Sequence, residues 1–215
     1  MPVPLPEAVA NIKRFRESNP NATKDDVAKA AAVSCGLKKI GKVYACDDYA
    51  LRFSSAKGSS FSNTVLSLKK VKDFDHVPFV VVVCRPSSTE FLLANTTLLK
   101  KISHSSHQLR VDNIRGSFLG HDIVREYEGV ANAPANFAEL FARHQEFTWQ
   151  ENLERLVEAT NSIAGTGHRF EPADTQRTTI LEAPALAIEI TNPHSSEPFR
   201  RISQENSKPS VISGV

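Results

Sequence analysis

Residues 78–84, PFVVVVC, constrain the fold of this chain more than any other stretch. Side chains of a strand point alternately to its two faces, so an unbroken apolar, β-branched run from Phe79 to Cys84 has no face left for water. Such a strand belongs in the middle of a sheet covered on both sides. Glu90–Ala94 (EFLLA), after the Arg85-Pro86-Ser87-Ser88 turn, supplies its neighbour. Upstream, Val43–Cys46 and Tyr49–Phe53 read as a hairpin around Asp47-Asp48, and Thr64–Lys70 (TVLSLKK) reads as a further strand. Between them, Ser54–Asn63 is a hydroxyl-rich loop.

Helical periodicity brackets these strands. Val9, Ile12 and Phe15 share one face of a first helix that ends near Ser18-Asn19-Pro20, because the residue before proline is pushed out of the α region. Thr23 is the expected cap of a second helix, with Asp25 and Asp26 in its first turn and Gly36 at its close. The string TKDDVAKAAAVS resembles the opening of a repressor helix-turn-helix, but no recognition helix follows it, so a helical cap on the main domain is the reading adopted. Asn136 with Glu139, and Thr148 with Glu151, predict capping boxes for two late helices. The second carries Trp149, Leu153, Leu156, Val157 and Ile163 as a core-facing stripe and ends at Gly165-Thr166-Gly167. Thr178–Ile190 is strand-like, with Pro184 forcing an edge position or a break. The expected class is therefore α/β (or α+β), a mixed central sheet flanked by helices. Residues 1–38 form an N-terminal helical cap, 39–191 the main domain, and 192–215 a polar tail.

Bulk properties narrow the setting. A formal net charge of +2 exerts no strong global pull on polyanions, so any such affinity must come from a local patch. Three cysteines without CxxC spacing, and a start lacking a basic and then apolar leader, predict a cytoplasmic protein. The apolar run is too short to cross a bilayer.

The local patch is found in residues 100–122, KKISHSSHQLRVDNIRGSFLGHD. Lys100, Lys101, His104, His107 and Arg110 precede Asn113, Arg115, Gly116 and Ser117, a guanidinium, a bare turn and a hydroxyl suited to gripping phosphate. The alternative is a structural loop whose arginine pairs with Asp112 or Asp122. His104, His107, His121 and Asp122 are also candidate metal ligands, though without an HExxH pattern. A second chemistry is metal-dependent phosphodiester hydrolysis, which needs carboxylates for Mg²⁺ and a lysine to stabilise the attacked phosphate. Asp47 or Asp48 at the hairpin, and Ser67-Leu68-Lys69 on the strand before PFVVVVC, occupy the corresponding order.

FSNTVLSLKKV, PFVVVVCRP, FLLANTTLLKKISHSS, NIRGSFLGHDI and the FTWQENLERLVEATNSI helix together resemble segments of bacterial restriction-endonuclease-type proteins of the PD-(D/E)xK kind, over roughly residues 47–163. The resemblance implies double-stranded DNA as substrate, Mg²⁺ as cofactor, and a homodimer or partner subunit to cut both strands. It implies Asp48 as metal ligand, Lys69 beside the attacking water, and Lys100, Lys101, His104, His107, Arg110, Asn113, Arg115 and Ser117 on the DNA. Ser67 stands where the family has an acid, and a hydroxyl is a poor Mg²⁺ ligand. Two further readings therefore stay open: a recognition or effector module that binds nucleic acid without cutting it, and a protein-interaction domain.

Overall fold

The computed structural model describes residues 2–58, 61–103 and 117–161. Two helices, α1 (Leu5–Ser18) and α2 (Lys24–Cys35), lead into strands β1 (Lys38–Ile40), β2 (Val43–Ala45) and β3 (Ala50–Ser55). Then follow β4 (Thr64–Ser67), α3 (Leu68–Phe74), β5 (Phe79–Cys84), β6 (Thr89–Leu93) and β7 (Ser117–Leu119). The small hairpin β8 (Glu126–Tyr127) and β9 (Val130–Ala131) precedes α4 (Phe137–His144) and α5 (Trp149–Asn161). The main sheet has the order β1-β2-β3-β5-β6, with β3 and β5 parallel and the other neighbours antiparallel. This is the mixed α/β architecture expected. No helix among the described residues is long and apolar enough to cross a membrane.

β5 lies inside the sheet with all six residues buried, which is what its unbroken apolar run requires. Val81 and Val83 face a core shared with Val71 and Phe74 of α3, Phe118 of β7, and Leu153 and Leu156 of α5. Val80 and Val82 face the opposite core, shared with Val9 and Ile12 of α1, Val27 and Ala31 of α2, and Leu140 of α4. The sheet is thus sandwiched between α1, α2 and α4 on one side and α3, α5 and β4–β7 on the other.

Local capping sets the helix boundaries. Thr23 is the expected cap, here completed by Asp26 into a reciprocal box, and Gly36 closes α2 at φ 67°. The Thr148 hydroxyl accepts from the Glu151 N–H at 3.2 Å, and the Glu151 carboxylate accepts from the Thr148 N–H at 2.7 Å. The bonds donated by Thr23 and Thr148 hold the Asp26 and Glu151 carboxyls below the ordinary range.

The box expected at Asn136 and Glu139 is not formed. A tight turn at Pro134–Asn136 gives Asn136 φ −111°, ψ 5°, not the extended conformation from which a cap side chain reaches back. Its carboxamide donates instead to the Ala131 carbonyl, and Glu139 pairs with Arg143 at 2.7 Å. Of the α5 stripe, Leu153 and Leu156 are fully buried and Trp149 packs against them. The Val157 side chain, Ile163, the glycines at 165 and 167, and residues 178–190 lie outside the described residues.

Buried amides and one carboxylate join the layers. The Asn95 carboxamide accepts from the Phe79 N–H and donates to the Asp75 and Val77 carbonyls, tying the chain after β6 to the start of β5. Asn132 accepts from the Leu93 N–H and donates to the Leu93 carbonyl, both at 2.8 Å, so one side chain does the work of a neighbouring strand. Tyr49 lies fully buried with no partner for its hydroxyl among the described residues, and burial pushes that phenol far up. Tyr49→Phe keeps the ring and removes the orphan group. It should stabilise the fold by about 1 kcal/mol, raising Tm by roughly 2–4 °C in a chain of this size. A lower Tm in calorimetry would show that the hydroxyl is bonded in solution.

Candidate functional site

The strand expected over Thr64–Lys70 stops at Ser67. The Ser67 hydroxyl accepts from the Lys70 N–H at 3.3 Å, which makes it the cap of α3, and Leu68, Val71 and Phe74 then face the core at helical spacing. Lys69 is consequently an exposed helix residue, not a strand residue as expected for the catalytic lysine. Asp48 is exposed in the β2–β3 turn, where the Cys46 N–H donates to the Tyr49 carbonyl at 3.0 Å. Arg52 lies outside that turn, two residues into β3. Asp48, Ser67 and Lys69 thus sit on a turn, a cap and an exposed helix face.

Ser67 instead opens onto a different constellation. Lys42 and Val43, Arg52 of β3, Thr64–Ser67 of β4, Lys70 of α3 and Ser117 of β7 line a cavity of about 220 Å³. Arg52 is the one charged side chain of β3, half-buried beneath β4. Its Nε donates to the Val65 carbonyl at 3.1 Å, and its Nη1 to the Lys42 carbonyl at 3.3 Å and the Phe53 carbonyl at 3.0 Å. The Nη2 edge has no partner among the described residues. Burial lowers the guanidinium's pKa, yet arginine stays charged. The result is a cation anchored on two nitrogens, with the third left without a partner among the described residues.

Lys42 is exposed and unpaired among the described residues. Lys70 forms an exposed pair with Asp73 at 2.8 Å, the kind of contact that water and salt weaken readily. Among the described residues every charged side chain in the lining is basic, and Thr64, Ser67 and Ser117 add hydroxyls.

The pocket adjoins the polar segment singled out in the sequence. β7 pairs with β4, setting Ser117 opposite Ser67, and the Ser103 N–H donates to the Ser117 carbonyl at 2.8 Å. Residues 104–116 are therefore bracketed by a hydrogen bond at the pocket wall. Lys100 is exposed, with its N–H on the Asp122 carbonyl, and Lys101 is half-buried. His104, His107, Arg110, Asn113 and Arg115 lie outside the described residues. Asp122 is fully buried and accepts from the Leu119 N–H at 2.7 Å, with His121 at 3.5 Å from its other oxygen. Among the described residues no group of three or more His, Cys, Asp or Glu side chains could hold a metal ion.

Two other polar clusters do different work. His144 lies 2.9 Å from the Asp75 carbonyl through Nε2 and 2.8 Å from the Thr97 hydroxyl through Nδ1. The arrangement has the order of a proton relay, but Thr97 is only 3% exposed, so it clamps helices to the sheet without presenting a nucleophile. A larger cavity of about 330 Å³ between α1 and the β5–β6 turn contains Lys13, Arg16 and Glu17. There Arg16 is consumed by the Pro20, Ala22 and Arg85 carbonyls, and Glu17 adds an opposing charge.

Lys42, Arg52 and Lys70 were not singled out from the sequence. Arg52 carried a signal, as a lone charge inside the apolar strand ALRFSS, whereas Lys42 and Lys70 join it only through tertiary folding. No protein-family model, no curated protein and no solved structure matches the chain.

Proposed function

We propose that this chain binds the phosphate backbone of double-stranded DNA, with the pocket of Lys42, Arg52 and Lys70 as its anchor and the Lys100–Ser117 segment extending the contact. The observation that carries this reading is Arg52, whose guanidinium is fixed by three carbonyls and, among the described residues, keeps one edge unpartnered at a cavity whose charged lining is basic. A preset guanidinium loses little freedom on pairing with a phosphate oxygen, and neighbouring lysines add attraction in proportion to released counterions. The hydroxyls of Thr64 and Ser67 can complete the oxygen's coordination.

Recognition without cleavage stands ahead of Mg²⁺-dependent hydrolysis in this reading. Among the described residues the lining supplies no carboxylate for a divalent ion, and Asp48, the expected ligand, is not part of it. A restriction-type system remains the proposed setting, in which a partner subunit would provide the cutting chemistry.

The test is fluorescence anisotropy of a labelled duplex over a range of salt, beside supercoiled plasmid incubated with Mg²⁺ or Mn²⁺ and an EDTA control. Affinity should fall linearly on a log–log plot, by about 0.9 per phosphate neutralised, and the plasmid should remain intact. Failure to bind at low salt would sink the proposal. Metal-dependent fragments would turn it into a nuclease whose carboxylates lie elsewhere.

A further inference from the structure

An inward-facing donor set distinguishes between phosphates that lie along a strand and phosphates that project from its end. We infer that the pocket takes the terminal phosphate monoester of a DNA end, an inference that rests on the backbone-binding reading and refines it.

The donors lie at different depths. Lys42 and Thr64 are exposed, whereas Arg52 is half-buried under β4, with its Nε on the Val65 carbonyl. An internal phosphodiester is tethered to a sugar on each side and runs along the strand. It can cross the mouth and meet Lys42 and one edge of Arg52, but its two tethers limit how many of the inner donors it serves at once. A terminal monoester has one tether and offers three oxygens to the surrounding donors. The free Arg52 edge, the Lys42 ammonium, and the hydroxyl protons of Thr64 and Ser67 can serve those oxygens together. Ser67 already accepts from the Lys70 N–H, which leaves its own proton for a ligand.

Charge points the same way. A phosphodiester carries one negative charge, whereas a monoester carries about 1.5 to 2 at pH 7 because its second ionisation lies near pH 6. Lys42 and Arg52 have no acidic partner among the described residues, and Lys70 shares its charge with Asp73. Two cations without a direct ion pair among the described residues, Arg52 feeling only a longer-range attraction from Asp25, match a dianion better than a monoanion. Binding the dianion selectively also predicts a pH dependence set by the ligand. The preference for phosphorylated ends should be full above about pH 7 and shrink as pH falls through about 6.

The experiment compares short labelled duplexes of one sequence that carry a 5′-phosphate, a 3′-phosphate or only hydroxyl ends. At least one phosphorylated form should bind about tenfold more tightly than the hydroxyl form, as expected for one added charge-assisted hydrogen bond. The two phosphorylated arms identify which end is read. Lys42→Ala, at an exposed side chain, should weaken all three duplexes and the phosphorylated ones more, narrowing that advantage. Arg52→Lys should act likewise, because a lysine cannot both hold the carbonyls and present a free edge. Equal, salt-dependent affinity for all three duplexes would overturn the end preference and leave the backbone reading standing. No binding to any of them would overturn both.

Discussion

Replacing Asp75 with alanine should destabilise the fold by about 3–5 kcal/mol, the largest loss expected from one polar substitution. Asp75 is nine-tenths buried after α3 and accepts from both the Thr96 N–H, at 2.8 Å, and the Thr96 hydroxyl. Its carboxylate also stands 3.6 Å from the His144 ring. Alanine would leave two buried donors unpaired, and each costs roughly 1–3 kcal/mol when no acceptor replaces the missing one. Asp75→Asn should lose less, because its carbonyl oxygen can still serve the Thr96 N–H. The measurement is urea unfolding, with the midpoint moving and the slope unchanged. A shift worth under about 1 kcal/mol would mean that water fills the acceptor's place.

For DNA binding, the largest effect should come from the double reversal Lys42→Glu with Lys70→Glu. Each lysine lines the pocket beside Arg52, and neither is buried. A hydrogen bond to a charged group is worth about 1.5–3 kcal/mol, so losing two should weaken binding on the order of 100-fold or more. The salt slope should fall by about one for each phosphate that is no longer neutralised. Lys69→Glu is the informative control. It changes charge by the same amount as Lys70→Glu alone, one residue away, but on the exposed side of α3 and outside the lining. Anisotropy titrations should show a much smaller loss for it. Equal losses for Lys69→Glu and Lys70→Glu would mean that a diffuse field attracts the polymer and that the pocket adds nothing.

Those two lysines also show where a sequence reading is secure and where it fails. The central position of β5 was legible because six apolar side chains in a row admit only one environment. The caps at Thr23 and Thr148 were legible because each is completed by an acid three residues on. The end of β4 was not, since Val65, Leu66 and Leu68 fit a strand while Leu68, Val71 and Phe74 fit a helix. The Ser67 cap decides between those periods, and that decision moves Lys69 to the surface and Lys70 into the pocket. The pocket was hidden for a further reason: its cations come from a turn, a strand and a helix that only packing brings together. The Phe79, Asp75 and Val77 partners of Asn95 and the Leu93 partner of Asn132 are likewise 16 to 39 residues away, beyond the range of any local pattern.

The Asn132 carboxamide has a consequence for self-association. β6 is the outermost strand on its side of the sheet, and the Leu93 peptide faces outward, where a strand from another copy could add. Asn132 already occupies both polar groups of that residue, so recruitment there would first have to evict it. On the far side, β1 exposes Lys38 and Lys39, whose like charges would face those of an approaching copy. Both rims of the sheet thus discourage open-ended stacking, so a dimer, if formed, would be favoured through helices or loops.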